Sequence, residues 1–190
     1  EIDQRIEAQD IAQSGWNYTS SSSYITLSFW VRASVAQAYV AVVYSNDGTQ
    51  RHYPFEIKDS GGSTLSANTW TKITKTIPGD SGITINNDNG NGATVSFIAA
   101  YGTNYTSSSG NFDAWNTTGG GTDRLPDMTT TWATTTNATF EITGVQLEVG
   151  SQATAFEHRS LAEELALCKR YFQKYNSITQ WHYTNGGYNP

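Results

Sequence analysis

Cysteine is nearly absent: Cys168 is the only one in 190 residues. A lone cysteine forms no internal disulfide, so no covalent framework holds this fold. That fits synthesis in a reducing cytosol, even for a protein that later works outside a cell. Charge is scarce too, at 15% of residues, and its balance is acidic: 11 Lys+Arg against 17 Asp+Glu, a formal net charge of -6. A nucleic-acid partner needs a basic footprint, and none is expected here. No apolar run approaches the ~18 residues of a membrane helix, and no charged-then-apolar leader opens the chain. The first residue is Glu1 rather than Met, which fits a processed product or part of something longer.

Catalytic signatures are equally thin. His52, His158 and His182 stand far apart without metal-ligand spacing. No serine sits in a nucleophile elbow, and no Gly-rich loop joins a strand to a helix. Glycoside hydrolysis needs two facing carboxylates. Glu56, Asp59, Asp80, Asp113, Asp123, Asp127, Glu141 and Glu148 are available, but the sequence selects no pair. The chain is therefore read as a non-enzyme without cofactors. Asp88, in an Asn/Gly turn, is the formal candidate for a structural calcium ion, a pattern that turn chemistry explains as well.

What is abundant is Thr, Ser, Asn and Gly, with 13% aromatics including 6 Trp and 11 Tyr. Low charge with many β-branched and hydroxylated residues favours strands and turns. From Tyr24 to Ala33, Ile25, Leu27, Phe29 and Val31 alternate with Thr26, Ser28, Trp30 and Arg32, the period of a half-buried strand. Ala38 to Tyr44 and Gln50 to Ile57 flank Asn46-Asp47-Gly48, a hairpin signal, and Pro54 predicts an edge or a bulge. Trp70 to Ile77 alternates again, and Ile83 and Ile85 suggest a short strand. Ala93 to Tyr101 is a near-continuous apolar run, as in a central strand buried on both faces. Ala138 to Val149 is the last strand, with Gly144 marking a bulge. Glu1 to Ala12 fits a strand edge or a short helix. Seven or so such strands predict an all-β, jelly-roll β-sandwich over residues 1–156.

Residues 157–176 read as a connector and one C-terminal α-helix. Ser160 and Glu163 form a capping-box pattern, and Lys169, Arg170 and Lys174 near the end match the helix dipole. Leu161, Leu165, Cys168, Phe172 and Tyr175 make a two-heptad seam. This stripe either packs on its own sandwich or meets copies of itself as an assembly interface. Residues 177–190 read as a polar tail or the lead-in to a further domain. Thr103 to Thr131 is long and irregular, as functional or disordered loops are, and its embedded aromatics argue against plain disorder. Sugar recognition needs flat aromatic faces beside planar amides or carboxylates. Tyr101, Asn104, Tyr105, Asp113 and Trp115 supply both and are the candidate carbohydrate-binding residues. The plainer alternative is a loop whose aromatics fold back onto the sandwich edge. Trp30 and Trp70 sit in regular strands and read as core or sheet-face residues.

The run Phe140-Glu141-Ile142-Thr143-Gly144-Val145-Gln146-Leu147-Glu148-Val149-Gly150 continues through Ala153-Thr154-Ala155-Phe156-Glu157-His158-Arg159-Ser160 to Lys169-Arg170-Tyr171-Phe172. It resembles the segment closing a carbohydrate-binding-module-like (galactose-binding-like) jelly roll in phage and prophage tail-fibre, head-fibre and related virion proteins. Gln4-Arg5-Ile6-Glu7, the Thr26 to Val31 strand and the Trp70 strand match in order, so the resemblance spans Gln4 to Tyr175. It implies a non-enzymatic, usually trimeric fibre or decoration component, and brings no defined ligand pocket. The chain departs from that pattern in two ways: such proteins usually have another strand or two before the Gln4-like segment, part of a first sheet this sequence is expected to lack, and they often continue past the Tyr171-like position into a further β domain. In that reading Gly150 releases the chain from the last strand, Phe156 anchors the connector, and Glu157 and Arg159 pair with a neighbouring subunit. The expected partners are further copies in a homotrimer, other virion proteins and a host-surface glycan. The alternatives are a purely structural virion connector and a sugar-binding accessory module of a polysaccharide-degrading enzyme.

Overall fold

The computed structural model describes residues 1–117 and 125–171. Two units are distinct, Glu1–Phe156 and Glu157–Pro190. The first is built on two antiparallel sheets. One has five strands in the order β1 (Ile2–Glu7), β6 (Asn91–Ile98), β3 (Tyr39–Ser45), β4 (Arg51–Ile57) and β8 (Asn116–Thr117). The other has three, β10 (Phe140–Val149), β2 (Tyr24–Ala33) and β5 (Thr71–Pro78). A short parallel pair, β7 (Thr106–Ser107) with β9 (Leu125–Pro126), and two small helices, α1 (Ala8–Gln13) and α2 (Thr131–Thr134), complete it.

The alternation read in β2 puts Ile25, Leu27, Phe29 and Val31 into the space between the sheets, where all are buried. Phe29 meets Phe97 of β6 edge-on, with ring centroids 4.8 Å apart, and Tyr39 of β3 stacks on Phe140 of β10 at 4.9 Å. Full burial of one such side chain stabilises the fold by about 1.5–3 kcal/mol. The Tyr39 hydroxyl keeps a partner there, donating to the Val35 carbonyl at 2.7 Å, and burial pushes its pKa up to about 12.

Several local readings find their cause in the sheets. The β3–β4 hairpin forms around Asn46-Asp47-Gly48, with Gly48 at a φ of 62°. Pro54 is tolerated because its carbonyl, which accepts from the Asp113 N–H at 2.8 Å, points away from β3, so its missing N–H costs no ladder bond. The bulge at Gly144 is real: the β10–β2 register shifts between Thr143 and Gln146, and Gly144 takes a φ of 60° beside the Trp30 ring. The opening segment resolves as a strand followed by a helix, β1 then α1. Ile83 and Ile85 differ from expectation. Their side chains are buried in the core, yet the stretch makes one isolated bridge, Asp47 with Thr84, instead of a strand. The Asp47 carboxylate takes up the Asn86 N–H at 2.8 Å, which closes the turn before a ladder develops.

Two irregular segments cover the outer faces of the sheets. Tyr101, Phe112, Leu125 and Met128 pack on Val40, Val42 and Ile98, which explains why β3 and β6 carry apolar residues on both faces. Gln37 ties this return segment down: its amide nitrogen donates to the carbonyls of Ala99 (2.9 Å) and Thr129 (3.1 Å), and its oxygen accepts the Trp132 N–H at 2.6 Å. On the three-stranded sheet, residues 150–156 fold back over the strands they have just left. Gly150, at a φ of 131°, makes the reversal, and its carbonyl accepts the Thr26 hydroxyl at 2.8 Å. The Thr76 hydroxyl donates to Ser151 O, Gln146 donates to Thr154 and Ala155, and Glu148 accepts the Thr154 N–H at 3.1 Å. This cover is why Thr26, on the outward side of β2, is 0% exposed.

In the second unit α3 (Leu161–Tyr171) begins on a reciprocal cap. The Glu163 N–H donates to the Ser160 hydroxyl at 3.3 Å, while the Glu163 carboxylate accepts the Ser160 N–H at 2.9 Å. The Ser160 N–H and hydroxyl, both donating to the Glu163 carboxylate, hold that carboxyl below its ordinary pKa. No described helix is long and apolar enough to cross a membrane.

Candidate functional site

The outer face of the five-stranded sheet is only partly covered, and the uncovered part is a groove of 630 Å³. Its floor follows from strand register. Arg5 of β1 lies opposite Thr94 of β6, which lies opposite Tyr44 of β3; one step along, Asp3 lies opposite Ser96. Because alternate residues share a face, Ile6 turns to the core while Asp3 and Arg5 line the groove. At one end stand Tyr101 and Tyr105, tilted at 44° with centroids 5.6 Å apart. Tyr105 is 53% exposed. At the other end stand Asn46, Gln50 and Asn91.

The polar groups of the floor are pre-organised. Gln50 Nε2 donates to Asn46 Oδ1 (2.8 Å), Asn46 Nδ2 to Thr94 Oγ1 (2.9 Å), and Asn91 Nδ2 to the same hydroxyl (3.1 Å). Each amide keeps a second N–H for a ligand. Neither Asp3 nor Arg5 forms an ion pair among the described residues, whereas Arg32 pairs with Glu141, Arg51 with Asp80, and Arg159 with Glu157 and Glu164. Aromatic faces, side-chain amides, two acidic residues (Glu1 and Asp3) and one guanidinium (Arg5) thus converge on an open, elongated floor, the chemistry of a polyhydroxylated ligand.

The sequence-derived candidates separate. Tyr101 and Tyr105 come together in the groove, and Asn104 is exposed between them in the chain. Asp113 and Trp115 lie elsewhere. Asp113 pairs with Lys75 at 2.6 Å. Trp115 takes the plainer alternative for its loop: it packs edge-on against Tyr53 at 5.5 Å, and its indole N–H donates to the Pro78 carbonyl at 2.7 Å. Burial, with the Asp113 charge adding to it, pushes the Tyr53 pKa up to about 12. Trp132 is held similarly, its indole N–H donating to Thr139 O at 3.1 Å. Trp30 and Trp70 lie on the outer face of the three-stranded sheet, the Arg32 guanidinium 5.2 Å from the Trp70 ring centroid. Asp3, Arg5, Tyr44, Asn46, Gln50, Asn91, Thr94 and Ser96 were not singled out by sequence. The out-of-phase Tyr44 and the polar alternation of Asp3 and Arg5 were the available signals.

Along the candidate assembly stripe, Leu161 is 84% exposed, Leu165 51%, and Cys168 is exposed; Phe172 and Tyr175 fall outside the described residues, as do residues 177–190. Glu157 and Arg159 pair with each other at 3.6 Å. Phe156, still in the first unit, lies beside Gly144 and remains exposed. Of the carboxylates weighed for hydrolysis, Glu56, Asp80, Asp113 and Glu141 are ion-paired, Glu148 holds Thr154, Asp59 closes a turn through Gly61 and Ser63, Asp127 lines a pocket together with Glu56, and Asp123 lies outside the described residues. Asp88 accepts the Gly90 N–H at 2.9 Å, and among the described residues no three His, Cys, Asp or Glu side chains gather as a metal site would need.

Comparison with protein-family models, with curated proteins and with solved structures finds no match for this chain.

Proposed function

We propose that the chain is a non-enzymatic structural module of a bacteriophage fibre or appendage. In this reading a jelly-roll sandwich contacts a host-surface glycan through the outer groove, and the C-terminal helix draws copies into a homotrimer. The observation that carries the binding half is the groove: Tyr44, Tyr101 and Tyr105 border pre-organised amides on a rigid sheet. Aromatic faces take the apolar side of a sugar ring while fixed amides take its hydroxyls. The assembly half is supported by exposed Leu161 and Leu165, one turn apart on a well-capped helix. An eleven-residue helix is marginal alone and gains stability by burying such a face. The resemblance of the Phe140 to Phe172 segment supports the virion setting and contacts with other virion proteins.

A glycan array probed with the purified chain tests the first half. Binding is expected and is lost in Tyr105→Ala, which changes an exposed side chain and leaves folding intact. Light scattering tests the second half: a mass three times the monomer is expected, reduced to the monomer by Leu165→Asp. A trimer that binds no glycan in any format would favour the purely structural virion component.

A further inference from the structure

We infer that the groove selects a neutral, hydroxyl-rich sugar over an acidic one, an inference that rests on the glycan reading above. The argument is the mixture of unsatisfied donors and acceptors on one floor. Arg5 offers guanidinium N–H groups and Asn46 and Asn91 offer amide N–H groups. The Asp3 carboxylate only accepts, and so does Gln50 Oε1, whose amide nitrogen is already turned to Asn46. A hydroxyl both donates and accepts, so neighbouring hydroxyls on one ring satisfy both kinds of group at once. A carboxylate, sulfate or phosphate on the ligand uses only the donors. It leaves Asp3 facing a like charge, because Asp3 and Arg5 lie two residues apart on one strand face, about 7 Å along the strand. An acidic sugar bound to Arg5 therefore stays within repulsive reach of Asp3. The whole chain, at -6, repels a polyanionic polymer as well.

The pair then divides its work. Asp3 accepts from one hydroxyl in a charge-assisted bond, Arg5 donates to its neighbour, and the ring face rests on a tyrosine. This orientation makes the charges of the groove serve recognition of an uncharged ligand, and affinity becomes nearly independent of ionic strength.

The test is calorimetry of the full chain with neutral hexose oligosaccharides and with uronic-acid oligosaccharides of equal length, in low and high salt. Three variants are compared, Asp3→Asn, Arg5→Gln and Tyr105→Ala, each checked for an unchanged melting temperature. The expected result is binding of a neutral oligosaccharide, unaltered by salt, and weakened about tenfold or more by Asp3→Asn, the loss of a hydrogen bond to a charged group. An acidic oligosaccharide that binds more tightly, weakens with salt and gains affinity on Asp3→Asn would overturn the inference while leaving glycan binding intact. A neutral ligand indifferent to both Asp3→Asn and Arg5→Gln would overturn it too. Binding of neither class, on a chain that also fails the array, removes the glycan reading itself.

Discussion

Replacing Gln37 by leucine removes the peg that holds the covering segment to the five-stranded sheet. Gln37 is 4% exposed and its amide is used at both ends, towards the carbonyls of Ala99 and Thr129 and the N–H of Trp132. Leucine has nearly the same volume, so packing changes little and the hydrogen bonds dominate. Three backbone groups lose a partner. A buried group left unsatisfied costs about 1–3 kcal/mol, and Thr129 and Trp132 lie nearer the surface, where water replaces part of the loss. The sum is about 3–5 kcal/mol, a large share of the 5–15 kcal/mol typical of a domain. Urea denaturation reads it as a lower midpoint, and hydrogen exchange reads it locally as faster exchange of the Trp132 amide than of amides in β2. Gln37→Glu is the informative partner: it keeps the acceptor for Trp132 and sets a carboxylate against two carbonyls, so it is expected to be at least as damaging. A loss under about 1 kcal/mol in Gln37→Leu would refute the claim that this side chain, not the apolar contacts of Leu125 and Met128, fixes the segment.

Trp115→Phe keeps the ring against Tyr53 and deletes the bond to Pro78 O; about 1–2 kcal/mol of stability is expected to go, with glycan affinity unchanged in calorimetry. Hydrogen bonds from Thr154 and Gln146 hold the Glu148 carboxyl below its ordinary pKa. That depressed value means the contribution of Glu148 is present above the normal carboxylate range and is lost as pH falls through the folded value. Stability measured from neutral to acid pH should therefore fall less steeply in Glu148→Gln, and identical slopes for both proteins would contradict the role given to this carboxylate. Phe29→Ala, at a fully buried ring touching Phe97, is expected to cost about 3–5 kcal/mol in thermal unfolding. Ser160→Ala removes the α3 cap and should weaken the helix by about 1 kcal/mol, seen as faster amide exchange in residues 161–164.

The strands that carry the core were legible because their alternation is a local property. β2, β5 and β10 declare one apolar face, Asn46-Asp47-Gly48 declares its hairpin, Gly144 its bulge, and Ser160 with Glu163 its cap, all through residues within a few positions of each other. Composition likewise fixed the all-β class and the scarcity of charge. What a groove residue faces is not local. Arg5, Thr94 and Tyr44 share a row only because β6 lies between β1 and β3, a neighbourhood joining residues about ninety positions apart. The fate of the aromatic loop was just as open: Tyr101 and Tyr105 line the groove while Trp115, ten residues further, turns to Pro78, because between them Phe112 packs on the outer face of the five-stranded sheet and the Asp113 N–H donates to the Pro54 carbonyl of β4. Local pattern determines which face of a strand is apolar; only the order of strands decides which polar faces meet.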